Sequence, residues 1–300
     1  MDRYCIDHEI AATRDSQVLL CADTVTGRPV VVKRMRVHHV VAAAATAVST
    51  ELHVHRDLSQ DGGHPNVLQL LDAFTMDGHE HIVMEYCAQG ELFDLVENAP
   101  DRRLDPALVC TIFAIICDAV HYIHTRGFAH CDLSLENVLV DGLGQLKLSD
   151  FGLATPLHEA SHQHALVGKD FYMAPEKYMM DAHDPAKADV WSLGVMLFIL
   201  VTGYPPFESA RASDSSMQLV ATKGLRSLCQ AWQLDSVIPA HAMTLLEKML
   251  EVNPAERWSL DQVMAHEYVV GQSKDQHSMP LVNATAKKPF VLLQGAAAAH

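Results

Sequence analysis

The stretch His130-Cys131-Asp132-Leu133-Ser134-Leu135-Glu136-Asn137 places a carboxylate and, five residues later, a carboxamide in one short segment. Thirteen residues after Asn137 stands a second carboxylate, in Asp150-Phe151-Gly152. Upstream, Lys33 closes the apolar run Val30-Val31-Val32, and Glu51 follows 18 residues later. Oxygen donors of the Asp and Asn type suit a hard cation such as Mg²⁺. A lysine ammonium suits phosphate oxygens, and a carboxylate not spent on metal can take a proton from a hydroxyl. These residue types fit the handling of a magnesium–nucleoside triphosphate complex, a chemistry that rests mostly on positioning and charge neutralisation.

The elements that must hold them are readable in outline. Val18-Leu19-Leu20-Cys21 and Val30-Val31-Val32 flank Thr26-Gly27, the pattern of a β-hairpin. Residues 42–58 read as a helix, ended by Asp61-Gly62-Gly63 and His64-Pro65. Leu68 to Phe74 and His81 to Tyr86 suit two more strands. From about residue 91 the pattern turns helical: Leu108 to His124, Asp189 to Val201 and Ala240 to Leu250 carry apolar positions at helical spacing. The reading is an α+β chain with a small β-rich lobe at 4–86, a larger helical lobe at 87–268 and a polar tail at 269–300. No internal repeat is present.

Composition narrows the partners. Hydrophobic residues make up 49% of the 300, enough for one large domain or two lobes. The formal charge of −15 argues against nucleic acid as the main partner. No apolar run reaches the roughly 20 residues that cross a bilayer, so no membrane partner is expected. The start, Met1-Asp2-Arg3-Tyr4-Cys5, lacks a basic segment with an apolar core. Seven irregularly spaced cysteines fit reduced thiols and a cytoplasmic or nuclear location. Among 19 histidines, His53-x-His55, His79-x-His81 and His162-x-His164 each offer two imidazoles, short of a metal site without further ligands.

The loop at 130–137, Asp150-Phe151-Gly152 and Ala174-Pro175-Glu176, in that order and at those spacings, resemble the catalytic loop, DFG and APE motifs of eukaryotic protein kinases. Leu133-Ser134-Leu135-Glu136-Asn137 resembles the serine/threonine type, and Gly203-Tyr204-Pro205-Pro206-Phe207 is similar to the calcium/calmodulin-dependent group. The resemblance runs over residues 4–268 and implies a bilobal protein-kinase-like fold. It implies ATP and Mg²⁺ as substrate and cofactor, and a protein substrate presenting Ser or Thr. By the same resemblance Asp132 is the catalytic base, Asn137 and Asp150 bind metal, and Lys33 paired with Glu51 holds phosphates. Val18, Val31, Met84, Glu85, Cys87 and Leu139 line the ATP site, with Met84 as gatekeeper and Glu85-Tyr86-Cys87 as hinge. Glu91 and Glu136 match acidic residues that, in basophilic relatives, take arginines ahead of the acceptor. Asp189 braces the catalytic loop, and Glu176 pairs with Arg257.

Four departures from that pattern stand out. The glycine-rich loop has no glycine: its three glycine positions fall on Ala11, Thr13 and Ser16, which implies strain or weaker phosphate contact. Cys131 replaces the arginine that pairs with an activation-loop phosphate. The only Ser or Thr residues between Asp150 and Glu176 are Thr155 and Ser161, so activity is expected without phosphorylation there. Ser134 replaces a lysine that contacts the transferred phosphoryl group, while Lys169 stands where relatives have a threonine that touches it. The two positions look exchanged, with Lys169 reaching back as a catalytic cation. His55 joins Leu70, Phe151 and His130 in the regulatory spine, where relatives have an apolar side chain, so activity is expected to fall below about pH 6. The alternatives are a pseudokinase scaffold or allosteric regulator, favoured by the glycine-free loop, and a small-molecule phosphotransferase of related fold.

Overall fold

The computed structural model describes residues 1–36, 45–158, 169–179 and 182–271. His162, His164, Ser161 and the tail beyond residue 271 lie outside the described residues. Two compact units divide the chain: Met1–Gly90 with Leu139–Gly152, and Glu91–Val138 with the described part of 153–271.

The first unit is built on β1 (Tyr4–Ala12), β2 (Ser16–Asp23), β3 (Pro29–Arg36), β4 (Leu70–Met76) and β5 (His79–Glu85), an antiparallel sheet in the order β1-β2-β3-β5-β4. Val30, Val31 and Val32 form one unbroken apolar run because both faces of the sheet are covered. Val31, Val18, Ile82 and Met84 face one apolar cluster. Val30, Val32, Leu19 and Val83 face another, with Tyr4, Met1 and Phe74 packed on it. Arg3 donates twice to Asp23, at 2.8 Å each, and this bidentate pair ties the start of the chain to the end of β2. The helix α1 (Ala45–Leu58) buries Glu51, Val54, His55 and Leu58, which stand at the i, i+3, i+4 and i+7 spacing of a single helix face. That stripe is what brings a carboxylate and an imidazole inward together.

Residues 139–152, which the sequence reading places in the larger lobe, group with the sheet unit. The reason is long-range pairing. Leu68 N–H donates to the Leu148 carbonyl and Leu148 N–H to the Asn66 carbonyl, both at 2.9 Å. The short strands at 138–140 and 146–148 turn on Asp141, whose carboxylate accepts from Leu143 and Gln145 N–H at 2.8 Å.

The second unit is helical: α2 (Leu92–Glu97), α3 (Pro106–Thr125), α4 (Pro185–Thr202), α5 (Ser215–Lys223), α6 (Leu225–Ala231), α7 (Ala240–Met249), α8 (Leu260–Met264) and α9 (Glu267–Val270). Asp105 and Asp184 cap α3 and α4, each followed by a proline at the first helical position. α4 is buried on nearly every side and forms the axis of the unit. A Cβ at Gly194 would lie 2.9 Å from Leu250 Cδ2 and 3.0 Å from Met249 Cβ, so the close approach of α4 to the end of α7 requires glycine. α3 and α4 are long and apolar enough, at 20 and 18 residues, to pass a length and composition test for membrane spans. Neither is an unbroken apolar run, since Asp118 and Asp189 interrupt them. Both helices bury apolar side chains within the unit's own core.

A buried ion pair locks the far side of this unit. Arg257 donates to both oxygens of Glu176, at 2.6 and 2.9 Å, and also to the carbonyls of Glu251 and Lys187. Its guanidinium carbon lies 5.0 Å from the Trp191 ring centroid. Arg257→Ala leaves a buried carboxylate unpaired, and the unfolding free energy measured in urea is expected to drop by about 3–5 kcal/mol.

Candidate functional site

Each unit carries one part of the chemistry. In the first, Lys33 Nζ lies 2.7 Å from Glu51 Oε1 and 3.5 Å from Asp150 Oδ1. The register sets this up. Lys33 lies across from Val18 on β2 and Ile82 on β5, on the sheet face that meets α1. Burial alone would lower the Lys33 pKa, but the carboxylates of Asp150 and Glu51 outweigh it and hold the ammonium above the usual lysine range. Burial pushes the Glu51 carboxyl up, with Lys33 opposing. Lys33 therefore stays cationic at neutral pH, with two carboxylates against one charge.

Asp150 adopts a left-handed backbone, φ 63°. Its Oδ1 accepts from Gly152 N–H at 3.4 Å. A Cβ on Gly152 would lie 3.3 Å from that same oxygen and 3.6 Å from Glu51 Oε2, so a glycine two residues after the carboxylate keeps this crowded corner open.

Beside this triad, Val18, Val31, Leu68, Met84, Cys87 and Leu139 line a cleft with His55, Glu85, Tyr86, Ser149 and the triad itself. The space is about 610 Å³ and continuous with solvent. Apolar side chains at one end and a cation with two carboxylates at the other suit a flat ring joined to an anionic chain. Burial pushes the Cys87 thiol up, so it stands there as a neutral wall. The Glu85 side chain points to Lys147, at 3.0 Å, and accepts from Gln69 N–H at 2.9 Å. His55, Leu68 and Ser149 are lining residues that the sequence reading did not name as part of this cleft.

Ala11, Thr13 and Ser16 do not line the cleft. Ala11 packs on the same apolar cluster as Val18. Thr13 N–H donates to the Ser16 carbonyl at 2.7 Å, and Ser16 N–H donates to Thr13 Oγ1 at 3.1 Å. The two hydroxyls lie 2.8 Å apart. No residue from Ala11 to Ser16 has a positive φ, so the expected strain is absent: a hydroxyl-closed turn stands where glycine flexibility was looked for. Two backbone N–H groups that could face phosphate are spent inside the turn.

His55 Nε2–H donates to the Leu68 carbonyl at 2.8 Å, and its ring meets Phe151 edge-on, centroids 5.0 Å apart. Burial dominates its titration and lowers the pKa to about 4. The expectation that activity falls below about pH 6 is corrected accordingly: the folded imidazole stays neutral well below that. His79 and His81 also have their own partners. His79 meets Arg34 and the Asp77 carbonyl, and His81 stacks on Phe74. Among the described residues no group of three His, Cys, Asp or Glu stands ready for a metal ion.

In the second unit the loop at 130–137 is held from below. Asp189, 1% exposed, accepts from His130 N–H and Cys131 N–H at 2.8 Å each and from His124 Nε2 at 2.9 Å. Burial works to raise its pKa, but the hydrogen bond and charge of His124, with the Cys131 N–H, hold the carboxyl below its usual range. Cys131 takes a left-handed backbone, φ 64°, and its carbonyl accepts from the buried Lys177 Nζ at 2.9 Å. Burial pushes the Cys131 thiol up to about 12, so it is not a nucleophile. Asn137 Nδ2 donates to the Asp132 carbonyl at 2.7 Å and to Asp132 Oδ2 at 3.1 Å. With the amide nitrogen so engaged, the Asn137 oxygen is the atom suited to a hard cation. The Asp150 carboxylate, in the other unit, is a second donor of that kind.

Lys169 Nζ pairs with Glu136 Oε1 at 2.9 Å and donates to Ser134 Oγ at 3.3 Å. Tyr172 closes the same cluster, donating to Glu136 Oε2 at 3.1 Å and accepting from Leu135 N–H at 3.2 Å. Glu91, 6% exposed, has an Oε1 without a hydrogen-bond partner. Burial, then Asp94 and Glu136, push its carboxyl up to about 7, with Lys169 opposing. His124, Tyr172 and Lys177 are the positioning residues that sequence reasoning missed. Each acts from 35 or more residues away in sequence, without a local signature.

The sequence profile described as the protein kinase domain matches residues 6–269. CBL-interacting protein kinase 4 of Oryza sativa subsp. japonica is 34% identical over 271 residues, 89% of this chain and 57% of that protein. CBL-interacting serine/threonine-protein kinase 12 of Arabidopsis thaliana is 34% identical over 72% of this chain and 43% of that protein. NUAK family SNF1-like kinase 2 of Rattus norvegicus is 32% identical over 73% of this chain and 33% of its own length. The chain thus spans about half the length, or less, of these curated relatives.

The folded His55 pKa near 4, against an ordinary value of 6.5, sets a stability window. Above about pH 6.5 neither state takes the proton. As pH falls toward 4 the unfolded chain takes it and the folded one does not, so stability is lost on acidification. Between pH 7 and pH 5 the unfolding free energy of the wild type is expected to fall about 2 kcal/mol further than that of His55→Leu, read by urea denaturation at the two pH values.

Proposed function

The chain belongs to the protein kinase family, and we propose from that membership and from the two clusters above that it is an ATP-dependent serine/threonine protein kinase. The observation that carries the reading is the charge arrangement around Lys33, a buried cation held between Glu51 and Asp150 at the polar end of an apolar cleft. Adenine takes the apolar end of that cleft and phosphate oxygens take Lys33. Asn137 and Asp150 each present an oxygen fit for Mg²⁺, which neutralises charge on the phosphates when bound. Asp132 accepts the proton of the substrate hydroxyl, its carboxylate held by the Asn137 amide. Because the hydroxyl-closed turn at Thr13 and Ser16 keeps its own N–H groups, Lys33 carries more of the phosphate binding than a glycine-rich loop would leave to it.

The named relatives are kinases, and no observation on the cleft or the loop favours a non-catalytic scaffold over transfer. The substrate preference is basic. Glu91, a buried carboxylate with an oxygen left unsatisfied, and Glu136, paired at rest with Lys169 and Tyr172, together form the arginine selector. A guanidinium fits that need with two donors in a fixed fork.

Two measurements test this reading. Mg·ATP is expected to raise the melting temperature and to support transfer to an Arg-containing Ser peptide, while Asp132→Asn cuts kcat by about 100-fold or more without lowering the melting temperature. No ATP-dependent shift and no transfer would sink the assignment. The preference for the Arg peptide over its Ala counterpart should rise with pH through about 7 as Glu91 ionises. Glu91→Gln should flatten that rise and lower kcat/KM for the Arg peptide by about tenfold. A preference that keeps the same pH dependence in Glu91→Gln removes Glu91 from the role.

A further inference from the structure

In phosphoryl transfer the substrate hydroxyl oxygen bonds to the γ-phosphorus as the bond from that phosphorus to the β–γ bridging oxygen breaks. ADP leaves with the electron pair, and the hydroxyl proton passes to the Asp132 carboxylate. Negative charge on the non-bridging oxygens of the moving group favours a cation beside the base. The loop from His130 to Asn137 contains no Lys or Arg. Among the described residues of the second unit, two lysines touch it from elsewhere. Lys177 is buried and bound to the Cys131 carbonyl, where it serves the backbone. Lys169 differs: its side chain is 24% exposed, and its Nζ rests on Ser134 Oγ and Glu136 Oε1. Ser134 lies two residues from Asp132, and its Oγ accepts from Asn137 N–H at 3.3 Å, so Lys169 already sits at the working edge of the loop.

The charge around Lys169 is unbalanced. Glu136 is in direct contact with Lys169, and the buried Glu91, with an oxygen left unsatisfied, interacts with both. An incoming guanidinium has more to gain at Glu136 and Glu91 than a single lysine can supply. On its four-carbon stem the ammonium can then leave Glu136 without breaking the backbone clamp, because Tyr172 fixes the segment independently through Leu135 N–H.

We infer that Lys169 is a relocated catalytic cation, resting between Glu136 and Ser134 and reaching the transferring phosphoryl oxygens when a basic substrate side chain takes Glu136. The inference rests on the kinase reading and adds to it: the basic residue of the substrate raises kcat as well as affinity, because it releases the cation.

The test is steady-state transfer to paired Arg and Ala peptides by wild type, Lys169→Met, Lys169→Thr, and the exchange Ser134→Lys with Lys169→Thr, each with a melting curve. Lys169→Met is expected to lower kcat about 100-fold with peptide KM within threefold and an unchanged melting temperature. The exchange should recover at least tenfold in kcat over Lys169→Thr. Replacing the peptide Arg by Ala should lower kcat in the wild type but only raise KM in the exchange variant, whose cation no longer rests on Glu136. Should Lys169→Met fail to fold, the exchange variant decides, since it keeps a lysine–hydroxyl contact. A kcat for Lys169→Met within threefold of wild type overturns the inference, as does an exchange variant that folds but is no faster than Lys169→Thr, or one whose kcat keeps the full Arg dependence. Wild-type transfer no faster than Asp132→Asn overturns the kinase reading itself, so the two failures are distinguishable.

Discussion

The loop at 130–137 depends on a buried carboxylate. Asp189 lies inside the helical unit and accepts two backbone N–H groups from the loop and a third hydrogen bond from His124. A carboxylate in such a place is costly unless its oxygens are saturated, and here they are. The reciprocal benefit is geometric. Cys131 must adopt a left-handed backbone for Asp132 to project as it does, and a non-glycine residue holds that conformation only when its surroundings over-determine it. Two N–H bonds to Asp189 on one side and the Lys177 bond to the Cys131 carbonyl on the other supply that constraint. The loop is fixed by hydrogen bonds to its backbone, so the side chain at position 131 is released from that duty and can be a neutral thiol.

The sheet unit solves a related problem with side chains. Lys33 is buried where burial alone would lower its pKa, and Asp150 and Glu51 outweigh that and keep it charged. Glu51 reaches it because α1 presents the carboxylate on the same stripe as Val54, His55 and Leu58. Asp150 reaches it because Gly152 leaves room. His55 belongs to the same construction. Its bond to the Leu68 carbonyl ties α1 to the segment that also pairs with Leu148, so one imidazole links the helix, the sheet and the strand that leads to Asp150. An apolar residue there would pack on Phe151 but could not make that bond.

Much of this was legible in the sequence because it is local. Gly27, Pro65 and the apolar run at Val30-Val31-Val32 mark turns and strands through short-range sterics, and Asp132, Asn137 and Asp150 stand out because polar residues of those types at those spacings have few structural uses. The contact between Lys169 and Ser134 was also readable, from two substitutions that make sense only as a pair. What was not legible is long-range. The grouping of residues 139–152 with the sheet depends on Leu68 and Asn66, some 80 residues away. His124, Tyr172 and Lys177 look like ordinary helix or loop residues until the fold carries them to the loop. The strain assigned to the glycine-free turn was misjudged for a different reason. The missing glycines point to strain, whereas the Thr13 and Ser16 hydroxyls close the turn by hydrogen bonding.

The two departures in the nucleotide-handling and loop clusters have one physical consequence in common. At Thr13 and Ser16, N–H groups that could face phosphate are turned inward. At Ser134, a hydroxyl stands where a cation would serve the same oxygens. Both changes remove positive potential that would otherwise be fixed in place, and both leave that potential on lysines instead: Lys33, held rigidly by two carboxylates, and Lys169, held loosely between a carboxylate and a hydroxyl. A lysine is a point charge on a flexible stem, whereas backbone N–H groups are directional and cannot move without the chain. On the proposed reading, phosphate recognition would depend less on loop geometry and more on the carboxylates that hold the lysines. In a chain of formal charge −15, those carboxylates are abundant, and their arrangement, with Glu51 and Asp150 both on Lys33 and Glu91 left with an unsatisfied oxygen, sets Lys33 apart from Lys169, the cation proposed to move.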